Sequence, residues 1–153
     1  MKRKLPLLVL GTFLIDRVTK QQVELGYWED QSFLQGKIAI EHHENVGLAL
    51  GAGRDEPGTV KRLSVLGMAA VFGLYAGTDR RREKLSKAGL ALMLGGGLGN
   101  FYDRLKKGAV TDFLRLPKGK GMLGKIIFNA ADLFILLGGF LTLLGRVSAK
   151  KSG

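Results

Sequence analysis

Along the chain, apolar runs of helical length alternate with short stretches crowded with charge. The first run, Leu5 to Ile15, follows Lys2-Arg3-Lys4 directly and gives way to Asp16, Arg17 and Lys20. A basic start and a short apolar run resemble a secretory signal peptide, but no small-x-small cleavage site follows. At about 1.5 Å per residue this run is short for a hydrocarbon layer of roughly 30 Å, so a spanning helix has to continue past Asp16 toward Gln22. Further spans are expected from Val60 to Thr78, Leu85 to Lys106 and Lys125 to Val147, the first starting at 4 and ending near 22. Between the first two the period changes. Phe33-Leu34 and Lys37 to His42 read as short strands around a Gln35-Gly36 turn, and Ala109 to Leu114 reads as another strand. The pattern predicts a mainly α membrane protein: one domain over 1–153, a four-transmembrane-helix bundle with short strands in extramembrane pieces at about 26–50 and 108–116.

Composition sharpens this picture. The chain is 46% hydrophobic, and its 23 glycines are spread through the apolar segments instead of gathered in a linker. Gly89, Gly95, Gly96, Gly97 and Gly99 fall in the third span, where small residues let helix backbones approach in lipid. A net charge of +11 raises nucleic acid as a partner. The basic residues instead sit in short clusters beside the apolar runs, as they do when flanking membrane spans, so no nucleic acid partner is expected. Four spans return both termini to one side, together with the flanks Lys2 to Lys4, Arg80 to Lys87 and Arg146 to Lys151, and the positive-inside tendency makes that side cytoplasmic. The connection from Arg104 to Lys125 on the opposite side is basic too, so charge alone orients the chain weakly.

The polar residues that are not flanks collect at one end of the bundle. Asp16 and Lys20 end the first span, Asn100, Asp103 and Arg104 end the third, Asn129 and Asp132 open the fourth, and Asn45 and Asp112 lie in the outer connections. Spacings of three or four put each helical set on a single face, and cost turns those faces inward. There is no cysteine, hence no disulfide or thiolate, and no serine stands beside a credible base. His42 and His43 are adjacent on a strand and point to opposite faces, so no shared metal is expected, and no cofactor. What remains is a carboxylate pair sharing one proton, one member acting as base on water while the other polarises a carbonyl. Asp16 (with Arg17 or Lys20) and Asp103 (with Arg104) have nearby cations and suit permanently ionised structural roles, whereas Asp112 and Asp132 lack them. These considerations do not choose the pair. A reading in which all four aspartates only tie helix ends and connections together stays open, as does a non-enzymatic transporter subunit or assembly factor.

Five ordered motifs then carry a resemblance: Asp16-Arg17-Val18-Thr19-Lys20, Asn45-Val46-Gly47-Leu48-Ala49, Gly95 to Arg104, Val110-Thr111-Asp112-Phe113 and Phe128-Asn129-Ala130-Ala131-Asp132. In that order they resemble signal peptidase II, the bacterial lipoprotein signal peptidase, over nearly the whole chain. The resemblance implies an intramembrane aspartyl endopeptidase of the bacterial inner membrane, expected as a monomer, that cleaves diacylglyceryl-modified prolipoproteins before the lipidated cysteine. It implies Asp112 and Asp132 as catalytic residues, Asp16, Lys20, Asn45, Gly47, Asn100, Arg104 and Asn129 as residues of the substrate site, Asp103 as structural, a small outer β-cradle at about 26–50 and 108–116, and a short outer helix over Arg54 to Val60. Many relatives carry phenylalanine where Leu50 and Gly51 follow the asparagine motif here. Membrane lipids are further expected partners, with Arg115, Lys118, Lys120 and Lys125 able to meet anionic headgroups or simply to anchor at the interface.

Overall fold

Pro57 at the first turn opens one long helix, and a left-handed Gly108 (φ 81°) closes another. Both follow backbone chemistry: proline lacks the N–H that a first turn leaves unpaired, and glycine reaches the left-handed cap without a Cβ clash. The computed structural model describes residues 4–28, 31–48, 53, 55–79, 83–124 and 126–151. Its elements are α1 (Lys4–Glu24), β1 (Ser32–Phe33), β2 (Ile38–Asn45), α2 (Pro57–Gly77), α3 (Lys84–Lys107), β3 (Val110–Arg115), β4 (Ile127–Phe128) and α4 (Ala130–Lys151), with a 3-10 turn at Gly121–Gly124. The fold is mainly α, with four helices and one small sheet.

The sheet is antiparallel in the order β1-β2-β3-β4. Its β1–β2 turn holds Leu34, Gln35 and Gly36 all at positive φ (51°, 58° and 74°). Register sets Asn45 opposite Val110 and His43 opposite Asp112, with an irregularity between Ile40 and His43. Val23 of α1, Ile40 of β2 and Phe113 of β3 form a buried cluster, with Trp28, Leu114 and Ala130 against it. That cluster fixes the sheet to the ends of α1 and α4.

Helix α3 is the hub, and its glycines explain how. A Cβ on Gly95 would strike Thr12 of α1, one on Gly96 the carbonyl of Ala131 in α4, one on Gly97 the sulfur of Met68 in α2, and one on Gly99 the carboxylate of Asp16. Consecutive small residues thus let three helices approach one backbone. Among the described residues, only α2 and α4 are long and apolar enough to cross a membrane by themselves. Polar side chains in α1 and α3 lower their hydropathy because those helices face each other, with Asp16, Lys20, Asn100, Asp103 and Arg104 buried. Helix α2 is the opposite case, with Val60 its one buried residue.

Two expected boundaries move. The fourth helix begins at Ala130, not Lys125, because Ile127 and Phe128 pair with Arg115 and Leu114 of β3. The second begins at Pro57, so Pro57 to Val60, expected in a short outer helix, form the first turn of α2. The rest of that expected helix falls partly on residue 54, and Leu50 and Gly51 on 49–52, all outside the described residues, as are Arg80 to Arg82.

Candidate active site

The start of α4 is built by reciprocal capping. Asn129 sits just ahead of the helix and its Oδ1 accepts the N–H of Asp132 at 2.9 Å, while Asp132 Oδ2 accepts the N–H of Asn129 at 3.2 Å. This is a capping box, with Asp at the third position where Glu or Gln is usual. Asn129 and Asp132 therefore do not share one helix face as their spacing suggested: Asn129 is the cap, and its amide is free to turn sideways. Its Nδ2 donates to Asp112 Oδ1 at 2.6 Å and to Asn100 Oδ1 at 3.1 Å.

Asp112 reaches the same place from β3. Its Oδ2 accepts Asn45 Nδ2 at 3.0 Å. Asp132 Oδ1 accepts Asn100 Nδ2 at 3.0 Å. All four oxygens of the two carboxylates thus accept a hydrogen bond, and both residues line one cavity of about 390 Å³ with Asn45, Asn100 and Arg104. Leu48, Val110, Ile126, Ile127, Phe128, Ile135 and Leu136 give that cavity a largely apolar wall. Burial pushes the Asp112 carboxyl up to about 6, opposed by the Asn45 hydrogen bond and reinforced by Asp132. A desolvated carboxyl beside a second one is the setting in which a proton is retained near neutral pH.

The Asn45 loop supports this wall. Asn45 Oδ1 accepts the Gly47 N–H at 3.0 Å in a tight local turn, and the Gly47 carbonyl accepts Arg104 Nη2 at 2.9 Å. Gly47 thus contributes its backbone. Arg104 was expected to neutralise Asp103; it turns to this carbonyl instead.

Asp103 takes its cations from α1, pairing with Arg17 through Oδ1 and lying 3.0 Å from Lys20 Nζ through Oδ2. Lys20 Nζ also lies 2.8 Å from Asp16 Oδ2, an ion-pair contact without hydrogen-bond angles, and donates to Asn100 Oδ1 at 2.8 Å. Asp16 Oδ1 accepts the N–H of Ala131, tying α1 to the first turn of α4. Asp16 and Lys20 are both 0% exposed and do not line the cavity.

The model of the family described as signal peptidase (SPase) II matches residues 8–147. The chain belongs to the signal peptidase II family. Among its relatives, the lipoprotein signal peptidase of Solibacter usitatus is 35% identical over 145 residues, covering 91% of this chain and 87% of that one. That of Chlorobium phaeovibrioides is 31% identical over 151 residues, covering 92% and 89%. Two solved bacterial membrane enzymes match in fold with TM-scores of 0.78 and 0.77 at 23% and 24% identity, covering 97% and 94% of this chain and 90% and 92% of theirs.

In this signal peptidase II chain, sequence reasoning missed a second polar knot beside the site. Lys107 pairs with Glu24 at 2.6 Å and with Glu44 at 2.8 Å, and it contacts Thr111, which donates to Glu24 at 2.6 Å. The knot joins α1, β2, α3 and β3 one residue from Asp112. No local spacing signals it, since its partners are far apart in sequence. Of the basic residues expected to meet lipid headgroups, Arg115 pairs with Glu41 at 2.7 Å and Lys118 donates to the Gln35 carbonyl at 2.8 Å, while Lys125 is outside the described residues.

Proposed function

We propose that this chain is an intramembrane aspartyl endopeptidase of the bacterial inner membrane, removing signal peptides from diacylglyceryl-modified prolipoproteins, with Asp112 and Asp132 as its catalytic pair. The observation that carries the reading is the shared cavity: two carboxylates on separate elements line it, Asn129 donates to both, through its side-chain amide to Asp112 and its backbone N–H to Asp132, and Asn45 and Asn100 each donate to one. Asp132 sits in the first turn of α4, at the positive end of the helix dipole, and accepts the Asn129 N–H and the Asn100 amide. Asp112, on a strand and desolvated, has no helix dipole beside it.

The roles divide accordingly. Ionised Asp132 takes a proton from water as its oxygen attacks the scissile carbonyl, and protonated Asp112 gives its proton to the carbonyl oxygen. The tetrahedral species then collapses with the C–N bond breaking, a proton passing to the leaving amine. The products are a signal peptide carboxylate and a lipoprotein whose first residue is the diacylglyceryl cysteine. No covalent enzyme intermediate forms.

The architecture in the membrane belongs to the same proposal. Four helices span it; α2, with 21 residues, is about 31 Å long, matching a hydrocarbon layer of roughly 30 Å. Both termini are cytoplasmic, and the sheet forms a cradle at the outer face. Ile135 and Leu136 carry the cavity wall toward the exposed face of α4, where Leu133, Leu136 and Leu137 meet lipid, so a diacylated substrate enters sideways. Asn45, Gly47, Asn100, Arg104 and Asn129 position the substrate or the pair.

The test is cleavage of a diacylglyceryl-prolipoprotein by Asp112→Asn and by Asp132→Asn in detergent. Both variants are expected to fold, Asp132→Asn with the wild-type unfolding transition, and to lose cleavage. Retained cleavage in either one sinks the pair.

A further inference from the structure

Lys20 is unusual among the buried groups: it is a full cation, 0% exposed, that touches no surface of the cavity. Its neighbours explain only part of it. Asp16 and Asp103 stand at 2.8 Å and 3.0 Å, and Arg17 already pairs with Asp103, so two carboxylates face two cations and the knot is electrically balanced. The remaining contact is to a neutral group, Asn100 Oδ1, at 2.8 Å.

That contact has a chemical consequence for the proposed pair. A primary amide has a donor end and an acceptor end of nearly the same shape, and only its neighbours decide which way it points. An ammonium donates and cannot accept, so the Asn100 atom facing Lys20 has to be oxygen. Asn129 Nδ2 donates to the same oxygen at 3.1 Å. The Asn100 nitrogen is thereby forced to the other side, where Asp132 Oδ1 accepts it at 3.0 Å. Turned over, Asn100 would set a carbonyl oxygen against a carboxylate oxygen and deprive Asp132 of a donor.

We propose that Lys20 is a positioning residue that locks the Asn100 amide, so that Asn100 always presents its N–H to Asp132, and that it makes no contact with substrate. The inference rests on the proposed role of Asp132. It reassigns Lys20 from the substrate site to the support behind it. Residues that orient a catalytic group from behind typically change activity by about 10–100-fold when lost.

The experiment compares Lys20→Met with Lys20→Gln, each made in an Asp16→Asn background so that one cation and one anion leave together. Methionine and glutamine are of similar length and both neutral, but only glutamine offers an N–H to Asn100. Steady-state cleavage of a diacylglyceryl-prolipoprotein is measured per folded molecule. The expected result is that the Met variant loses about 10–100-fold in kcat with KM within about twofold, and that the Gln variant recovers most of that loss. Equal kcat in the two variants, or a loss carried by KM, overturns the proposal. If the paired substitutions prevent folding, the single Lys20→Gln and Lys20→Met variants, which disturb charge equally, are compared in the same way. Asp132→Asn run alongside separates the two readings: cleavage retained there removes the catalytic pair, whereas cleavage lost there with Lys20 variants at wild-type kcat removes the lock alone.

Discussion

The two halves of α3 are held by different physics. Toward Lys84 the helix meets α4 through backbone: a Cβ on Gly89 would collide with the Gly138 carbonyl and Thr142, and one on Gly145 with Ser86. Hydroxyls fill what the glycines leave, with Thr142 Oγ1 donating to the Gly138 carbonyl at 2.7 Å and Ser86 Oγ to the Thr142 carbonyl at 3.1 Å. Toward Lys107 the same helix meets α1, β3 and α4 through Asn100, Asp103 and Arg104, where position is set by charge and amide geometry. Close packing tolerates no added atom but asks nothing of proton positions; a polar network tolerates small shifts but depends on every donor and acceptor being the right way round. Stability should therefore be concentrated in the first half and chemistry in the second.

The largest departure expected from this division is in the polar half. Asp132→Asn should lower kcat by about 10³-fold or more while thermal unfolding in detergent stays close to wild type. A large loss of folded protein instead would mean that the polar half also carries the fold. Next comes the pH dependence of stability. Asp112 titrates near 3.8 in the unfolded chain and at about 6 in the fold, so its contribution is complete below about pH 4 and is lost as pH rises through 6. The difference amounts to about 3 kcal/mol and should vanish in Asp112→Asn, as read from unfolding between pH 4 and 8. Identical pH profiles for the two proteins would contradict a desolvated Asp112.

The packed half is probed by Gly89→Val, expected to cost about 1–3 kcal/mol in unfolding free energy with kcat per folded molecule unchanged. A selective loss of kcat there would blur the two halves into one. The smallest effect belongs to the rim: Arg115→Ala removes an exposed pair with Glu41 and should change stability by less than about 1 kcal/mol, with cleavage unaffected. A substantial loss of cleavage on anionic vesicles would return Arg115 to a lipid-binding role.

Much of this was legible in the sequence for a plain reason: a polar residue inside an apolar run is costly, so its presence marks a place where helices meet. That logic found Asp16, Lys20, Asn100, Asp103, Asp112, Asn129 and Asp132 and put them at one end. It failed where the pattern is ambiguous. Ile126-Ile127-Phe128 adds to the apolar run of α4 across Asn129 and Asp132, and short apolar runs do not distinguish strand from helix. The Asn129-x-x-Asp132 spacing fits both a shared helical face and a capping signal, and the chain uses it as the cap. Pairing was also illegible: Arg104 is adjacent to Asp103 in sequence, yet Asp103 takes Arg17 and Lys20 from α1, because a helix that presents Asp103 to α1 turns its neighbour toward the Asn45 loop.

The capping box at Asn129 has one more effect. Helix ends are the first places where hydrogen bonds open and amide protons exchange. Here the carboxylate that closes the end of α4 is also the one assigned to activate water, so a single frayed turn would undo the cap and withdraw Asp132 from the cavity together. Exchange of the Asn129 and Asp132 amides then reports on the fraction of enzyme out of action, and a ligand filling the cavity should slow it. On the proposed role of Asp132, the local opening of one helical turn and the idle state of the catalyst are one equilibrium.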